Sequence, residues 1–179
     1  GVFGLWYGKG PGLDRALDAI RHANMGGVAK YGGMVLAVGD DATGKSSTLA
    51  YQSEQTFIAA GVPFFYPRSI HDIIPMGLQA FALSRLAGCC VGMKIVVDTA
   101  DASSIIDLDR IRPEITANDE LGPVHIGRHD PALVREDRLF NLRLPAVRRF
   151  QKAQNINSII GSQPAIGKLG IMTVGKTTY

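Results

Sequence analysis

The residues with the clearest chemical pattern are 39–46, which read Gly-Asp-Asp-Ala-Thr-Gly-Lys-Ser. This octapeptide matches the phosphate-binding P-loop at every fixed position, and it lies between an apolar run and a polar, helix-like segment. In a P-loop the backbone N–H groups surround the phosphates, the lysine neutralises their charge and the serine reaches magnesium. Asp98, at the end of the apolar run 93–97, would support that metal. One candidate function is therefore that of a small P-loop NTPase.

Two carboxylates inside the same loop weaken this interpretation. Asp40 and Asp41 would place negative charge beside an anion that a P-loop attracts. Aspartates in turns also accept hydrogen bonds from backbone N–H groups, so a structural role and a functional role are equally open for this pair. Lys45 and Ser46 could likewise cap the helix that follows them.

Apolar runs alternate with helical patterns, and this alternation predicts an α/β fold in which a doubly wound parallel sheet is linked by crossover helices. The predicted strands cover residues 2–7, 34–38, 62–66 and 91–97, and the predicted helices cover residues 11–26, 46–60 and 69–86. Ser69 and Asp72 resemble a capping box at the start of the last of these helices. Pro75 predicts a kink in that helix or a later start.

Composition excludes several classes of protein. With 46% hydrophobic and 20% charged residues in 179, the chain can bury a core. Its formal charge of +3 comes from basic residues spread along the chain, which argues against a nucleic-acid partner. No apolar run is as long as a membrane span and no leader is recognised, so a cytoplasmic protein is expected. The adjacent Cys89 and Cys90 predict small buried side chains rather than a disulfide or cluster ligands.

The later part of the chain is expected to leave the first domain. Residues 107–155 are predicted to form a linker that carries a surface helix interrupted at Pro145, and residues 156–179 the first strands of an adjoining α/β domain. The sequence enters a strand at residue 2 and stops after a strand at 168–174. We therefore expect the chain to be a fragment of a longer protein.

Several segments occur in the same order as in one known family, and together they cover most of the chain. They are GLWYGKGPGLDR at 4–15, RHAN at 21–24, GDD at 39–41, KSST at 45–48, YQSE at 51–54, ALSR at 82–85, VGMK at 91–94 and GIMTVGK at 170–176. On these motifs the chain resembles the indolepyruvate ferredoxin oxidoreductases, which are thiamine-diphosphate-dependent 2-oxoacid oxidoreductases. Relatives carry the Gly-Asp-Asp turn, a variable stretch and a Ser-Ser pair, so the resemblance implies that the P-loop match is accidental.

The resemblance implies a specific fold and chemistry. Residues 1–106 would be the pyrimidine-binding domain of the thiamine-diphosphate-binding fold, truncated at its N-terminus. The complete enzyme would oxidatively decarboxylate arylpyruvates with thiamine diphosphate, Mg²⁺ and [4Fe-4S] clusters. Its partners would be coenzyme A and ferredoxin, and it would be a homodimer.

Loops at the carboxyl ends of parallel strands face the ligand crevice, which makes two segments the expected positions for cofactor and substrate contacts. The candidate residues are Lys9, Gly10, Pro11, Gly12, Asp40, Asp41, Lys45, Ser46 and Ser47. The resemblance places the glutamate that activates the cofactor upstream of this sequence, and the Gly-Asp-Gly motif and cluster cysteines in other segments. No catalytic residue and no metal ligand are therefore assigned to this chain. Alone, it is expected to lack oxidoreductase turnover and to bind thiamine diphosphate weakly or not at all.

Overall fold

The centre of the fold is a parallel sheet of four strands. A computed structural model of the chain describes residues 3–45, 47–111, 122–159 and 170–178. The strands are β1 (Phe3–Gly8), β2 (Met34–Asp40), β3 (Phe64–Phe65) and β4 (Val91–Val96). They lie in the order β1-β2-β4-β3, and every neighbouring pair is parallel. The predicted α/β class with a parallel sheet is confirmed.

Helices connect and cover these strands. They are α1 (Lys9–Arg15), α2 (Leu17–Gly26), α3 (Glu54–Ala59), α4 (Ile70–Ala87), α5 (Val97–Ala100), α6 (Ala132–Asp137) and α7 (Leu144–Ala153). A π-helical segment, Arg138–Arg143, joins α6 to α7, and short 3-10 turns form at Leu108–Arg110 and Gly175–Thr178. Within the described ranges, no helix has the length and apolarity needed to cross a membrane.

Helices cover both faces of the sheet. Side chains alternate along each strand, so the apolar side chains of a strand such as β2 reach both faces, and each face packs against helices. On β2, Leu36 and Val38 point to one face, and Val35 points to the other. The first face packs against α1, α2 and α3 through Leu13, Ile20, Phe57 and Ala60. The second face packs against α4 and α7 through Ala80, Leu83, Ala146 and Phe150. The chain therefore winds around both sides of the sheet.

Two local predictions about α4 can be compared with its boundaries. The capping box of Ser69 and Asp72 is present, and the Asp72 carboxylate accepts a hydrogen bond from the Ser69 N–H at 3.3 Å. The helix begins at Ile70 and continues through Pro75, so the proline does not delay its start.

The two cysteines are buried and free, as their adjacency predicts. Burial raises the pKa of both the Cys89 and the Cys90 thiols to about 12. They are therefore neutral thiols that fill space beside β4.

Two predicted elements are longer than the observed ones. The helix expected over 46–60 is limited to α3, and residues 47–53 form turns and coil. The strand expected over 62–66 forms only at Phe64–Phe65. The helix is short because Asp40 and Asp41 bind the backbone of the intervening loop, as described below.

The segment 132–153, expected as a linker helix, packs closely on the sheet domain. Ala146 and Phe150 of α7 are buried against α4. Pro145 is the second residue of α7, and the π-helical segment precedes that helix directly. The backbone therefore stays helical through Pro145, where the sequence predicts an interruption.

The terminal segment differs from its prediction over the part that the structure describes. Residues 170–174 have no regular secondary structure, although a strand was expected over 168–174. Residues 160–169, which include the rest of that strand and the end of the one expected at 158–160, lie outside the described residues. Gly175 is buried, and a Cβ added there would meet the ring of Tyr66 at 2.4 Å.

Candidate functional site

Charged side chains gather at the edge of the sheet where the strands end. Since all strands are parallel, β1, β2 and β4 finish at the same edge. At this edge the chain leaves β2 towards α3 and leaves β4 directly into α5. Ligands in α/β proteins bind in the crevice at such a point. We call the following residues the edge cluster: Lys9, Asp40, Asp41, Lys45, Ser47, Glu54, Lys94 and Asp98.

The buried part of the edge cluster is centred on Lys94 of β4, whose side chain is only 2% exposed. Its Nζ lies 3.1 Å from Asp40 Oδ2, 2.5 Å from Glu54 Oε1 and 4.6 Å from the centroid of the Tyr66 ring. Burial alone would lower the pKa of Lys94, but the hydrogen bond with Glu54 and the charge of Asp40 raise it above its ordinary value. Lys94 is therefore charged, and its ammonium is held in place by ion pairs with two carboxylates.

Asp40 connects the end of β2 to the start of α3. Its Oδ1 accepts a hydrogen bond from the Asp41 N–H and its Oδ2 accepts one from the Ser53 N–H, both at 2.9 Å. Because Asp40 is buried and also paired with Lys94, it fixes the two ends of the loop 41–53 relative to the sheet.

Asp41 determines the conformation of that loop. Its Oδ1 accepts a hydrogen bond from the Lys45 N–H at 2.9 Å, and its carbonyl accepts from the N–H groups of Gly44 and Tyr51. Side-chain to backbone hydrogen bonds of this kind compete with helix formation, which explains why no helix begins near residue 46. The Lys45 N–H that a P-loop would offer to a phosphate is here bonded to the Asp41 carboxylate.

Two lysines form the exposed rim of the edge cluster. Lys9 has a φ of 62°, an uncommon conformation for a residue with a side chain, at the junction of β1 and α1. Its Nζ donates to Ser47 Oγ at 2.6 Å and lies 3.7 Å from Asp41 Oδ2. Lys45 Nζ lies 2.5 Å from Asp98 Oδ1. The hydrogen bond between them raises the pKa of Lys45 and lowers the pKa of Asp98, so both are charged at neutral pH.

The loop 41–53 is also clamped to α1. Tyr51 OH donates to Asp14 at 2.5 Å, and Thr56 Oγ1 donates to the same carboxylate at 2.7 Å. These two hydrogen bonds lower the pKa of Asp14. The Tyr51 ring lies directly on Gly10, where an added Cβ would be 1.7 Å from a ring carbon. A glycine at residue 10 therefore allows the clamp to close.

Gly10→Ala is expected to open this clamp and to destabilise the chain by about 1 kcal/mol, because the Tyr51 ring must leave its position. Gly12→Ala in the same helix is the matched control, since its nearest atom is 4.0 Å from the added Cβ. That control should be neutral or stabilising by about 0.5–1 kcal/mol. Urea unfolding and the rate of proteolysis in the loop measure both effects. Equal behaviour of the two variants would show that Tyr51 does not cover Gly10.

Three buried side-chain oxygens near this edge have no hydrogen-bond partner among the described residues. They are Ser53 Oγ and Glu54 Oε2 at the start of α3, and Thr99 Oγ1 in α5. Buried polar groups are usually paired, so these three oxygens are exceptions to that rule within the described part of the chain. Across the described ranges, no three His, Cys, Asp or Glu side chains are arranged to hold a metal ion.

The structure brings together only some of the residues selected from the sequence. Lys9 contacts both Ser47 and Asp41, and Lys45 contacts Asp98. Asp40 belongs to the buried part, Gly10 lies under Tyr51, and Ser46 lies outside the described residues. Pro11 and Gly12 lie in α1 with no contact to the cluster identified, although the Pro11 carbonyl accepts from Arg15.

Sequence reasoning missed Lys94 and Glu54 as members of this site. The available signal was a lysine inside the apolar strand β4, a position where a charge needs a partner. Comparisons of the chain with protein families, curated proteins and solved structures found no match.

Proposed function

We propose that this chain supplies the aminopyrimidine-binding half of a thiamine diphosphate site. The enzyme would be an oxidoreductase that converts arylpyruvates of the indolepyruvate type to acyl-coenzyme A and passes electrons to ferredoxin. The observation that carries the proposal is the position of residues 9–12 and 41–45, which follow β1 and β2 at the carboxyl edge of a parallel sheet. This is the edge at which such sheets bind cofactors. The pyrimidine-binding type of fold is part of the proposal.

The chemistry of the edge is compatible with a polar heterocycle. An aminopyrimidine has N–H donors and ring-nitrogen acceptors, which would pair with the accessible polar side chains of the edge cluster, Lys9, Lys45 and Asp98. The Lys94 ammonium keeps Asp40 and Glu54 in fixed orientations. When bound, the cofactor supplies the electron sink for loss of carbon dioxide. The residues of this chain bind and orient it.

Other functions of the enzyme would belong to other segments of the natural protein. The proposal assigns the activating glutamate, the diphosphate and Mg²⁺ site and the [4Fe-4S] clusters to segments outside this sequence. The coenzyme A and ferredoxin sites and the homodimer contact are likewise properties proposed for the complete enzyme.

The alternative of a P-loop NTPase has less support from the geometry of residues 39–45. The Lys45 N–H donates to Asp41, and the Lys45 side chain is turned to Asp98. Among the described residues after Lys45, the first helix begins at Glu54, whereas a P-loop is followed directly by the helix N-terminus that helps it to bind phosphate.

The proposal is tested on the natural polypeptide that contains this sequence. We expect it to retain thiamine diphosphate, measured by conversion of the released cofactor to fluorescent thiochrome. With indolepyruvate or phenylpyruvate and coenzyme A, it should reduce a viologen dye. The 179-residue chain alone should give no turnover.

Absence of thiamine diphosphate from the active natural protein would contradict the proposal. ATP or GTP hydrolysis that is abolished by Lys45→Ala would instead support the NTPase.

A further inference from the structure

The Lys45–Asp98 ion pair links two separate segments of the chain at the carboxyl edge of the sheet. Lys45 lies in the loop after β2, and Asp98 lies in α5 directly after β4. Their charged atoms are 2.5 Å apart, and the side chains are 55% and 43% exposed. A cation reachable from solvent therefore stands where the fold is expected to receive a ligand.

This pair is easier to separate than the buried one. An exposed ion pair contributes little to stability because water replaces the lost interaction. Lys94, in contrast, is buried between two carboxylates. Of these two lysines, Lys45 is the one that can change its partner without unfolding the edge.

Asp98 would keep a favourable environment after Lys45 leaves. The charge of Lys176, in the turn that follows the buried Gly175, also lowers the pKa of Asp98. Asp41 and Asp101 add weaker attraction for Lys45, but Asp41 is itself 3.7 Å from Lys9. The principal carboxylate that holds Lys45 is therefore Asp98.

We propose that Lys45 binds the carboxylate of the 2-oxoacid substrate, which takes the place of the Asp98 carboxylate beside the Lys45 ammonium. This inference rests on the proposed function and specifies the role of one residue in it. The Asp98 side chain presents to Lys45 the same chemical group that every 2-oxoacid carries. Asp98 thus competes with the substrate for Lys45, and it remains paired with the Lys45 ammonium until the substrate binds.

The exchange predicts opposite effects for the two partners. Lys45→Met removes the cation that binds the substrate, so affinity should fall. Asp98→Asn removes the competitor, so affinity should rise. If the ion pair had only a structural role, breaking it from either side would change the protein in the same direction.

The experiment uses the natural polypeptide with phenylpyruvate as substrate. Lys45→Met should raise KM roughly ten- to hundredfold, the range for loss of one charge-assisted hydrogen bond. Lys45→Arg should restore most of the affinity, and Asp98→Asn should lower KM about two- to fivefold. Lys30→Met is the matched control, because Lys30 is exposed and precedes β2 at the opposite edge of the sheet.

Thiamine diphosphate content is measured in every sample, which separates the two proposals. An unchanged KM in Lys45→Met, with the cofactor retained, would overturn the exchange and leave the proposed function intact. A KM that rises in both Lys45→Met and Asp98→Asn would also overturn it. Absence of the cofactor from the wild-type protein would overturn the proposed function and this inference together.

Discussion

Lys94→Met is expected to lower the free energy of unfolding by about 3–5 kcal/mol, the cost of leaving buried charges without their partner. Lys94 is the cation that compensates both Asp40 and Glu54, and Asp40 is itself buried. Asp40 also holds the N–H groups of Asp41 and Ser53. Removal of one ammonium should therefore loosen the end of β2, the start of α3 and the loop between them.

The Lys94 contribution has a defined pH dependence. Its pKa is raised in the folded state, so the stabilisation is complete below the unfolded lysine value of about 10.4. It is lost only as pH rises through the higher folded value. The effect of Lys94→Met should consequently be present in full at neutral pH.

Urea unfolding of the chain at pH 7.5, followed by circular dichroism, measures the change. Lys30→Met, an exposed lysine on the same protein, should change stability by less than about 0.5 kcal/mol. The double variant Lys94→Met with Glu54→Gln should recover part of the loss, because one of the two uncompensated carboxylates is removed. If Lys94→Met behaved like Lys30→Met, the buried ion network would not be a feature of the folded protein.

The sheet could be predicted from the sequence because its signal is local. The apolar run at 34–38 contains most of β2 and the run at 91–97 contains all of β4, and both are of the length expected for buried strands. The helix predicted over 46–60 is confined to α3 because the Asp41 hydrogen bonds hold the preceding loop in another conformation. Those bonds depend on where the loop turns back, which residue types alone do not specify.

The candidate site was predictable as a place but not as a set of contacts. The rule that strand ends share one edge placed Lys9 near Asp41, and the structure brings them together. The sequence contains no comparable signal for ion pairs between residues that lie far apart in the chain. Glu54 and Lys94, for example, are 40 residues apart in the chain and pair at 2.5 Å. Charge in an apolar strand indicates that a partner exists without saying which one.

Arg143 makes the clearest set of contacts that the sequence alone does not predict. It is fully buried at the end of the π-helical segment before α7. Its guanidinium donates to the carbonyls of Asn24 and Met25 at 2.9 and 3.0 Å, and to that of Gly26 at 3.2 Å. These are the last carbonyls of α2, which have no partners inside the helix and carry its negative dipole end.

The same side chain connects a third part of the chain. Arg143 Nε donates to the Val124 carbonyl at 2.6 Å. Gly27 has a φ of 90°, and a Cβ there would lie 2.1 Å from the guanidinium, so the glycine leaves room for Arg143. Burial lowers the pKa of Arg143, and the nearby Arg138 lowers it further. Four carbonyl groups, three of them at the negative end of the α2 dipole, therefore compensate the charge of Arg143 in place of a carboxylate.

Arg143→Met is expected to lower the free energy of unfolding by about 3–5 kcal/mol, because several buried carbonyls lose their donor at once. Arg143→Lys should recover only a fraction of that loss, since one ammonium cannot reproduce the planar fork of donors. Arg149→Met is the control, because Arg149 is exposed on α7 and should change stability by less than about 0.5 kcal/mol.

Hydrogen exchange distinguishes how the Arg143 variant is weakened. Loss of the guanidinium should raise amide exchange at the end of α2 and in α7 more than in β2 and β4, because Arg143 is the polar link between those two helices. Uniform acceleration across the sheet would mean that Arg143 supports the whole fold instead. Unchanged exchange at residues 24–27 would contradict the proposed role of Arg143 as the cap of α2. If the local pattern is observed, Arg143 acts together with the apolar contacts of Ala146 and Phe150 to hold to the domain a segment that the sequence predicts as a linker.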